Sequence, residues 1–359
     1  MDVTHPKQTP LEQTHFEREI REQPQILARL LQDDSVRGIA SALRDHAPRL
    51  ITTLARGSSE NAVTFFSYLV GRTLGLPVAS LPPSLLSVYS TRMQADETVA
   101  LGVSQSGESS DVVGGVTALR DAGAVAVAVS NDPSSSLVAA ADYALLQGAG
   151  LEQAVAASKT FSSQLLLLSL LVAHWGEDNE LLAALHAVPA ALTALIEDED
   201  GAHSGLREIA LRLTHARSLY VLGRGLSYAP ALETALKLKE TCYLHAEAYS
   251  SAEFQHGPIA AVNPSDPVLM LALDDATKAS NHAAATKLRA VSADLCVFSS
   301  SETLRRDALA TVTLPTELHP VTQAFVMVVA GQLLALHLAT AKGLDPDAPR
   351  HLNKVTKTM

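Results

Sequence analysis

Apolar residues fall into short continuous runs that alternate with longer stretches of helical spacing. The stretch LITTLARGSSENAVTFFSYLVGRTLG (50–75) begins as a buried strand, turns at 56–59 and continues as a helix. TVALGVSQSGESSDVVGGVTALRDAG (98–123) repeats this scheme with its turn at 104–107, and AVAVAVSNDPSS (124–135) supplies a third strand. Alternating units of this kind predict an α/β fold, with a doubly wound parallel sheet and helices on both of its faces.

The same order of elements recurs in the second half of the chain. SLYVLGRGLS (218–227) matches LITTLARGSS (50–59) at an offset of 168 residues. PVLMLALDDAT (267–277) falls opposite TVALGVSQSGE (98–108) at an offset of 169, and SADLCVFSSSET (292–303) lies near the third strand at a similar spacing. Nearly constant offsets predict a duplicated α/β domain, and two copies are too few for a solenoid.

Helical periodicity outside these units predicts the segments that flank and link them. Residues 14–44 carry apolar residues at helical spacing, and 165–175, 181–214 and 320–343 also read as helices. The last segment has two prolines and no period, so it is expected to be an extended tail. The predicted division is an N-terminal helical segment (1–45), a first domain (46–180), linking helices (181–214), a second domain (215–345) and the C-terminal tail (346–359).

Composition narrows the possible functional classes. The 359 residues are 47% apolar and 18% charged, which favours two folded domains over disorder. A net charge of −11 and only 15 aromatic side chains (7 Phe, 7 Tyr and 1 Trp) argue against a nucleic-acid partner. The polar and charged N-terminus is not expected to be a signal peptide. The apolar stretch 324–341 contains Gln332 and His337, and we expect it to be a buried helix and not a membrane span.

The two cysteines, Cys242 and Cys296, limit the redox and metal chemistry of the chain. Two thiols cannot build a disulfide framework or a four-thiolate zinc site. We therefore expect both to be reduced thiols in a cytoplasmic protein.

Small polar residues follow the second strand of the first unit, where ligands of open parallel sheets bind. SQSGES (104–109) lies directly before a helix, and its hydroxyls, its glycine and the free helix N–H groups suit a phosphate monoester. The alternative is ordinary turn chemistry in which Ser106 and Ser109 cap the helix. A dinucleotide is disfavoured because GRGLSY (223–228) has Tyr228 where the third glycine of G-x-G-x-x-G belongs.

The second unit carries the more reactive side chains, in ALETALKLKETCYLHAEAYSSAEFQHGP (231–258). Lys237 and Glu240 share a helix face, which Glu233 joins through its i,i+4 spacing. A predicted loop over 241–256 follows, with the titratable residues His245, Glu247, Glu253 and His256. A carboxylate, a lysine and a histidine near a strand end suit proton transfer on a sugar. The alternatives are a solvated salt-bridged stripe and a metal site, the latter disfavoured because His-Ala-Glu is not a zinc-helix spacing.

Several motifs in the correct order resemble the double sugar-isomerase (SIS) domain family, from about residue 14 to the C-terminus. The matching motifs are EIREQP, SQSGES, GRGLSYAPALETALKLKE, HAEAYSSAEFQHGP and PRHLNKV. They are similar to those of the isomerase domain of glutamine:fructose-6-phosphate amidotransferases and of SIS-type glucosamine-6-phosphate deaminases. The resemblance implies two flavodoxin-like sheets, a sugar-phosphate substrate and no cofactor.

The resemblance also implies roles for individual residues. The residues implied to hold the phosphate and sugar are Ser59, Ser104, Gln105, Ser106, Ser109 and, through its backbone, Val155. Glu240 is implied to be the base that moves a proton between C1 and C2, with Lys237 beside it to stabilise developing charge. His256 is implied to assist ring opening. Lys354, which composition alone would make a solvated terminal lysine, is implied to close the site and in amidotransferases forms an imine with the open-chain ketose.

Two departures from the amidotransferase pattern favour a deaminase. VAASK (155–159) has Ala157 where amidotransferases have a serine that contacts the sugar. Residue 2 is Asp2 and not a cysteine nucleophile, so we expect no glutaminase domain. The expected reaction converts D-glucosamine 6-phosphate and water to D-fructose 6-phosphate and ammonia. The family resemblance further implies a homodimer in which His256 reaches the neighbouring subunit's site.

Three alternative functions stay open at this point. A deglycase of phosphorylated fructosamines, such as fructoselysine 6-phosphate, and a galactosamine-6-phosphate deaminase would use the same groups, because few contacts read the C4 stereochemistry. A non-catalytic sugar-phosphate sensor is a third. It is disfavoured because the chain has no helix-turn-helix extension and keeps Glu240, His256 and Lys354.

Overall fold

The computed structural model describes residues 13–89, 91–352 and 354, and within them the chain forms two five-stranded parallel sheets. The strands of the first sheet are β1 (Leu50–Leu54), β2 (Val78–Ser80), β3 (Thr98–Val103), β4 (Val125–Ser130) and β5 (Tyr143–Leu146). The strands of the second are β6 (Ser218–Gly223), β7 (His245–Ser250), β8 (Pro267–Ala272), β9 (Asp294–Ser299) and β10 (Ala310–Thr313). The strand orders, β2-β1-β3-β4-β5 and β7-β6-β8-β9-β10, are equivalent, so the predicted duplication is confirmed.

Helices cover both faces of each sheet and connect the two halves. Those before and within the first half are α1 (His15–Leu30), α2 (Ser35–His46), α3 (Ser58–Thr73), α4 (Ser84–Ser87), α5 (Ser110–Asp121), α6 (Ser136–Ala139) and α7 (Lys159–Trp175). The linking helices are α8 (Asn179–His186), α9 (Val188–Glu197) and α10 (Ala202–Leu213). The second half contains α11 (Tyr228–Cys242), α12 (Lys278–Ala290), α13 (Glu302–Arg306) and α14 (Pro320–Ala341). Short 3₁₀ turns occur at Gly225–Ser227, Glu253–His256 and Pro258–Ala261.

One hydrophobic core runs through both halves. It includes Ile51 of β1, Leu168 of α7, Val221 of β6 and Leu334 of α14. Each sheet also has a second apolar face, covered by its own smaller cluster. Strands that are buried on both faces read as continuous apolar runs, which is why the sequence pattern located them.

Two helical stretches, Asn179–Glu197 and Pro320–Ala341, have the length and apolar composition of a membrane span. Pro320–Ala341 is α14, and 83% of its most apolar 18-residue stretch is buried inside the protein. α14 packs on α11 so closely that a Cβ at Gly331 would lie 2.1 Å from Thr234 Oγ1. The prediction of a buried helix over 324–341 is therefore correct. Asn179–Glu197 spans α8 and α9, which both pack on α14.

Several predicted boundaries differ from the structure. The predicted loop over 241–256 is wrong, since it contains β7 and the turn Glu253–His256. β7 is an edge strand, and its polar alternation lacks the apolar run that marks the central strands. The segment 181–214, predicted as linking helices, contains most of α8 and all of α9 and α10. Of the tail, 346–352 and 354 form no helix or strand, and residues 353 and 355–359, like 1–12, lie outside the described residues.

Candidate functional site

A cleft of about 330 Å³ lies at the carboxyl ends of β1 and β3. These strands are neighbours, and the chain leaves them toward opposite edges of the sheet, which makes this the switch point where ligands bind in such folds. The cleft is lined by Arg56, Gly57, Ser58, Ser59, Ser104, Gln105, Ser106, Ser109, Glu152, Val155, Ala157, Thr160, Phe161, Gln164, Glu240, Leu352 and Lys354.

Eight of the ten predicted site residues line this one cleft of the described chain. They are Ser59, Ser104, Gln105, Ser106, Ser109, Val155, Glu240 and Lys354. The other two lie elsewhere. Lys237 is fully buried behind Glu240, and His256 is exposed at the end of its 3₁₀ turn.

A tight turn shapes the loop between β3 and α5. Ser104 Oγ accepts a hydrogen bond from the backbone N–H of Gly107 at 3.1 Å. Gly107 has a φ of +66°, and a Cβ there would lie 2.2 Å from Ser135 Oγ. Only glycine fits this position without strain, because the φ is positive and a Cβ would meet Ser135.

The alternative that Ser106 and Ser109 only form turn and capping hydrogen bonds holds for Ser106 and not for Ser109. Ser106 Oγ accepts from the N–H of Glu108 at 3.3 Å, which is turn chemistry. Ser109 precedes α5, but within the described residues its side chain makes no N-cap hydrogen bond. Its Oγ instead lies 3.5 Å from Ser104 Oγ. The Ser109 hydroxyl therefore remains available to a ligand.

Positive electrostatic features converge on this end of the cleft. α3 begins at Ser58 and α5 at Ser110, so the N-termini of two helices of 16 and 12 residues lie at the cleft. Arg56 adds a guanidinium group, held by Asp111 through an Nε–Oδ2 hydrogen bond of 2.8 Å. Helix N-termini and a guanidinium favour an anion such as a phosphate.

The cleft also presents a carboxylate held by a buried lysine. Lys237 Nζ contacts the Glu240 carboxylate and lies 3.3 Å from Glu233 Oε1. Glu233 in turn accepts from Ser58 Oγ at 2.9 Å and from Asn61 Nδ2 at 2.8 Å, both on α3 of the first half. These contacts place Glu240 at the junction of the two domains.

Burial and the neighbouring carboxylates together set the charge state of Lys237. The side chains of Lys237 and Glu233 are 0% and 1% exposed, so the solvated-stripe interpretation is wrong for them. Burial opposes the charge of Lys237, but the Glu240 and Glu233 carboxylates raise the pKa of Lys237 above its ordinary value. Burial raises the pKa of Glu233. Lys237 thus stays protonated and acts on the cleft through Glu240.

A second buried carboxylate, Glu152, was not predicted from the sequence. It accepts hydrogen bonds from the N–H of Ser158 at 2.9 Å, from Thr160 Oγ1 at 2.7 Å and from Lys354 Nζ at 2.6 Å. Burial alone would raise the pKa of Glu152, but the Lys354 ammonium and these hydrogen bonds bring it below its ordinary value. Lys354 also donates to the carbonyl of Ala154 at 2.6 Å, so it is not a solvated terminal lysine.

Sequence reasoning also missed polar residues at the start of α7. Gln164 Nε2 donates to Ser59 Oγ at 3.1 Å, and Gln164 Oε1 has no hydrogen-bond partner in the described part of the chain. A usable signal exists, because KTFSSQ places five polar residues at the beginning of an otherwise apolar buried helix. Polar residues on such a helix need partners, and a ligand site is one source of them.

Neither cysteine lines the cleft of the described chain. Cys242 and Cys296 are free and buried. Burial raises the pKa of the Cys242 thiol to about 11 and that of Cys296 to about 12. Among the described residues, no group of three or more His, Cys, Asp or Glu side chains is placed to hold a metal ion.

The sequence profile of the SIS domain matches this chain twice, over residues 46–174 and 212–342. The chain belongs to the SIS domain family. These two SIS domains are the duplicated halves seen in the structure. The cleft therefore lies in the first SIS domain and receives Glu240 from the second.

Several known proteins similar to this SIS chain have names that refer to sugar phosphates. It is 34% identical over 340 residues to a glutamine–fructose-6-phosphate aminotransferase (isomerizing) from Methanothermobacter thermautotrophicus, a match that covers 94% of this chain and 56% of that protein. The chain thus spans about half the length of the curated relatives it matches.

Two solved structures extend the comparison. A candidate phosphosugar isomerase from Silicibacter pomeroyi is 37% identical, with a TM-score of 0.83 and coverage of 93% of this chain and 100% of that one. A glucosamine-6-phosphate deaminase from Thermotoga maritima is 20% identical, with a TM-score of 0.76 over 96% of this chain and all of that chain. The first similarity supports common family membership, and the second shows a shared fold.

Proposed function

We propose that this SIS protein is a glucosamine-6-phosphate deaminase, which converts D-glucosamine 6-phosphate and water to D-fructose 6-phosphate and ammonia. The observation that carries the proposal is the cleft itself, which is lined both by residues of a loop suited to phosphate (104–109) and by Glu240. A volume of about 330 Å³ lies at the small end of ligand pockets, as a hexose phosphate requires. Ala157 lines the cleft at the position where amidotransferases carry a serine.

In the proposed reaction the phosphate is held at the N-termini of α3 and α5, and this remote binding positions C1 and C2 near Glu240. After ring opening, Glu240 removes the C2 proton of the amino aldehyde to give an enolamine. Glu240 then returns the proton to C1, which leaves an imine at C2. Water adds to that imine, and collapse of the carbinolamine releases ammonia and leaves the C2 ketone.

The source of nitrogen separates a deaminase from an amidotransferase. Glutamine hydrolysis of the amidotransferase type needs an activated thiol. The 359 residues contain two cysteines, and burial raises the thiol pKa of both. Neither suits that role. Acting by itself, this 359-residue chain is therefore proposed to use free ammonia, and not glutamine, as the nitrogen donor in the reverse direction.

The test is ammonia release by the purified chain from a panel of substrates. The panel contains glucosamine 6-phosphate, galactosamine 6-phosphate, fructoselysine 6-phosphate and unphosphorylated glucosamine. We expect kcat/KM for glucosamine 6-phosphate to exceed that for the C4 epimer by at least about tenfold. The unphosphorylated sugar should be a much poorer substrate, because it lacks the group that the helix N-termini bind.

Other outcomes of the panel would assign other functions. Free lysine released from fructoselysine 6-phosphate faster than ammonia from any amino sugar would identify a deglycase. No turnover with any compound, together with retained fructose 6-phosphate binding in calorimetry, would identify a sensor. Glucosamine 6-phosphate made from fructose 6-phosphate with glutamine as the nitrogen donor would overturn the proposal.

We also propose that the protein is a homodimer in which His256 completes the neighbouring subunit's site. His256 is exposed and, among the described residues, does not line the cleft that contains Glu240. A ring-opening histidine that is absent from its own chain's cleft must come from a second copy if it acts at all. The turn Glu253–His256 projects it from the surface next to β7.

Mixing two inactive variants tests this arrangement. Glu240→Gln and His256→Ala should each be nearly inactive alone. In a two-fold dimer with crossed histidines, a mixed dimer has one doubly mutated site and one intact site. Random reassortment makes half of the dimers mixed, so about a quarter of the wild-type activity should return. Verified mixed dimers that stay inactive would show that His256 acts within its own chain or not at all.

A further inference from the structure

The first helix buries polar side chains against the segment that lines the cleft. Glu19 and Gln23 of α1 are 1% and 0% exposed, although they lie outside both sheets. Both belong to EIREQP (19–24), a motif to which the proposed reaction assigns no role. Buried polar residues need partners, and the partners of these lie in residues 153–162 and on α14.

Glu19 binds the backbone of the cleft-lining segment directly. Its Oε1 accepts from the N–H of Gln153 at 2.5 Å and its Oε2 from the N–H of Ala154 at 3.3 Å. Glu152 and Val155, which line the cleft, flank these two residues in the chain. One carboxylate thus fixes the two peptide groups that connect two cleft residues.

The same peptide segment receives the C-terminal lysine from its other side. The carbonyl of Ala154 accepts from Lys354 Nζ at 2.6 Å, while the N–H of Ala154 donates to Glu19. The orientation of this segment therefore decides whether Lys354 can reach both Ala154 and Glu152. A turned peptide would remove one of the two acceptors that hold the lysine in the cleft.

Neighbouring residues on α1 brace the same segment. Arg18 donates to Gln153 Oε1 at 2.7 Å, and Glu22 pairs with Lys159 Nζ at 2.7 Å. Gln23 contacts Ser162 Oγ and reaches α14. Within this set, Glu19 is the one whose side chain holds backbone N–H groups beside the cleft.

We propose that Glu19 is a positioning residue of the active site, whose carboxylate sets the orientation of the peptides at 153 and 154 and thereby the placement of Lys354 and of the Val155 backbone. The role in turnover rests on the proposed function. The hydrogen bonds to the backbone do not depend on it.

Glu19→Gln tests the role of the carboxylate most directly. It keeps the size of the side chain, but its NH₂ group faces one of two backbone N–H groups that both need an acceptor. Glu17→Gln is the matched control. It is the same change on the same helix, at a carboxylate that pairs with Arg21 at the surface.

Two readouts separate a positioning role from a merely structural one. Hydrogen exchange of the amides of 153 and 154, followed by mass spectrometry, should become at least about tenfold faster in Glu19→Gln and stay unchanged in Glu17→Gln. Turnover of glucosamine 6-phosphate should fall by about 10–10²-fold, mostly in kcat, because a small misplacement of a reacting group has effects of that size.

The double variant tests whether Glu19 and Lys354 act together. In a Lys354→Met background, Glu19→Gln should lower turnover much less than it does in wild type, since both residues act on one peptide segment.

Each outcome decides the question. Unchanged exchange at 153 and 154 would overturn the proposal, as would faster exchange with unchanged turnover, or losses fully additive with Lys354→Met. If wild type turns over no substrate, the proposed deaminase fails, but exchange and fructose 6-phosphate affinity still test Glu19. If Glu19→Gln does not fold, Glu19→Asp, which keeps the charge on a shorter side chain, is judged by the same criteria.

Discussion

Replacing Glu240 with glutamine should lower kcat by about 10²–10⁴-fold, which is the range for loss of a general base. Glutamine keeps the shape of the side chain and an oxygen that can accept from Lys237, but it cannot take a proton from C2. Lys237 also keeps Glu233 as a partner at 3.3 Å, so the buried cluster should persist. Steady-state ammonia release measures the effect.

Binding and folding provide the controls for Glu240→Gln. Fructose 6-phosphate affinity by calorimetry should stay near that of wild type, because the phosphate contacts proposed for the 104–109 loop do not involve Glu240. Glu247→Gln is the matched control, since Glu247 lies on β7 beside His245 and outside the cleft among the described residues. A Glu240→Gln variant with near wild-type turnover would leave Glu240 as a salt-bridge residue only.

Removing Lys354 should abolish most activity while the fold survives. In Lys354→Met, the buried carboxylate of Glu152 loses its charged partner, and the tail loses both of the acceptors that hold it over the cleft. We expect turnover to fall by at least about 10²-fold, because the site then admits water and no longer positions the open-chain sugar. Deletion of 350–359 should have the same effect, since the described part of that segment forms no helix or strand.

Lys342→Met is the matched control for the tail variants. Lys342 follows α14 and donates to the carbonyl of Cys242 at 3.3 Å, and it does not line the cleft of the described chain. Its loss should leave kinetics unchanged, and thermal melts should confirm that all variants fold. Unchanged kinetics in Lys354→Met would mean that the Lys354–Glu152 pair only anchors the tail.

Local sequence features were sufficient to predict most of the fold. β1, β3, β6 and β8 are buried on both faces, so each appears as an apolar run, and the offsets of 168 and 169 residues identify the duplication. The failure at β7 has a physical cause. An edge strand with a partly exposed face can be polar, and HAEAYS carries no apolar run.

Site residues that are close in sequence could also be predicted, whereas those that depend on distant partners could not. Ser104, Ser106 and Ser109 are close in sequence and follow one strand, so their shared location could be predicted. Glu152 and Glu19 could not, because a carboxylate that is buried against distant partners is indistinguishable in sequence from a surface glutamate. Glu152 meets Lys354 across 202 residues, and Glu19 meets the backbone of Gln153 across 134.

The start of α1 is fastened by Asp347, whose carboxylate accepts from the N–H groups of His15 and Phe16 at 2.6 and 2.8 Å. His15 and Asp347 are 332 positions apart. A ribosome that adds about 5–20 residues per second needs roughly 20–60 s to cover that distance. Throughout this interval the nascent chain contains α1 but lacks Asp347, which binds the start of α1, and Lys354, which lies in the cleft. A competent site is thus one of the last features to assemble, after residues 347–354 have left the ribosome.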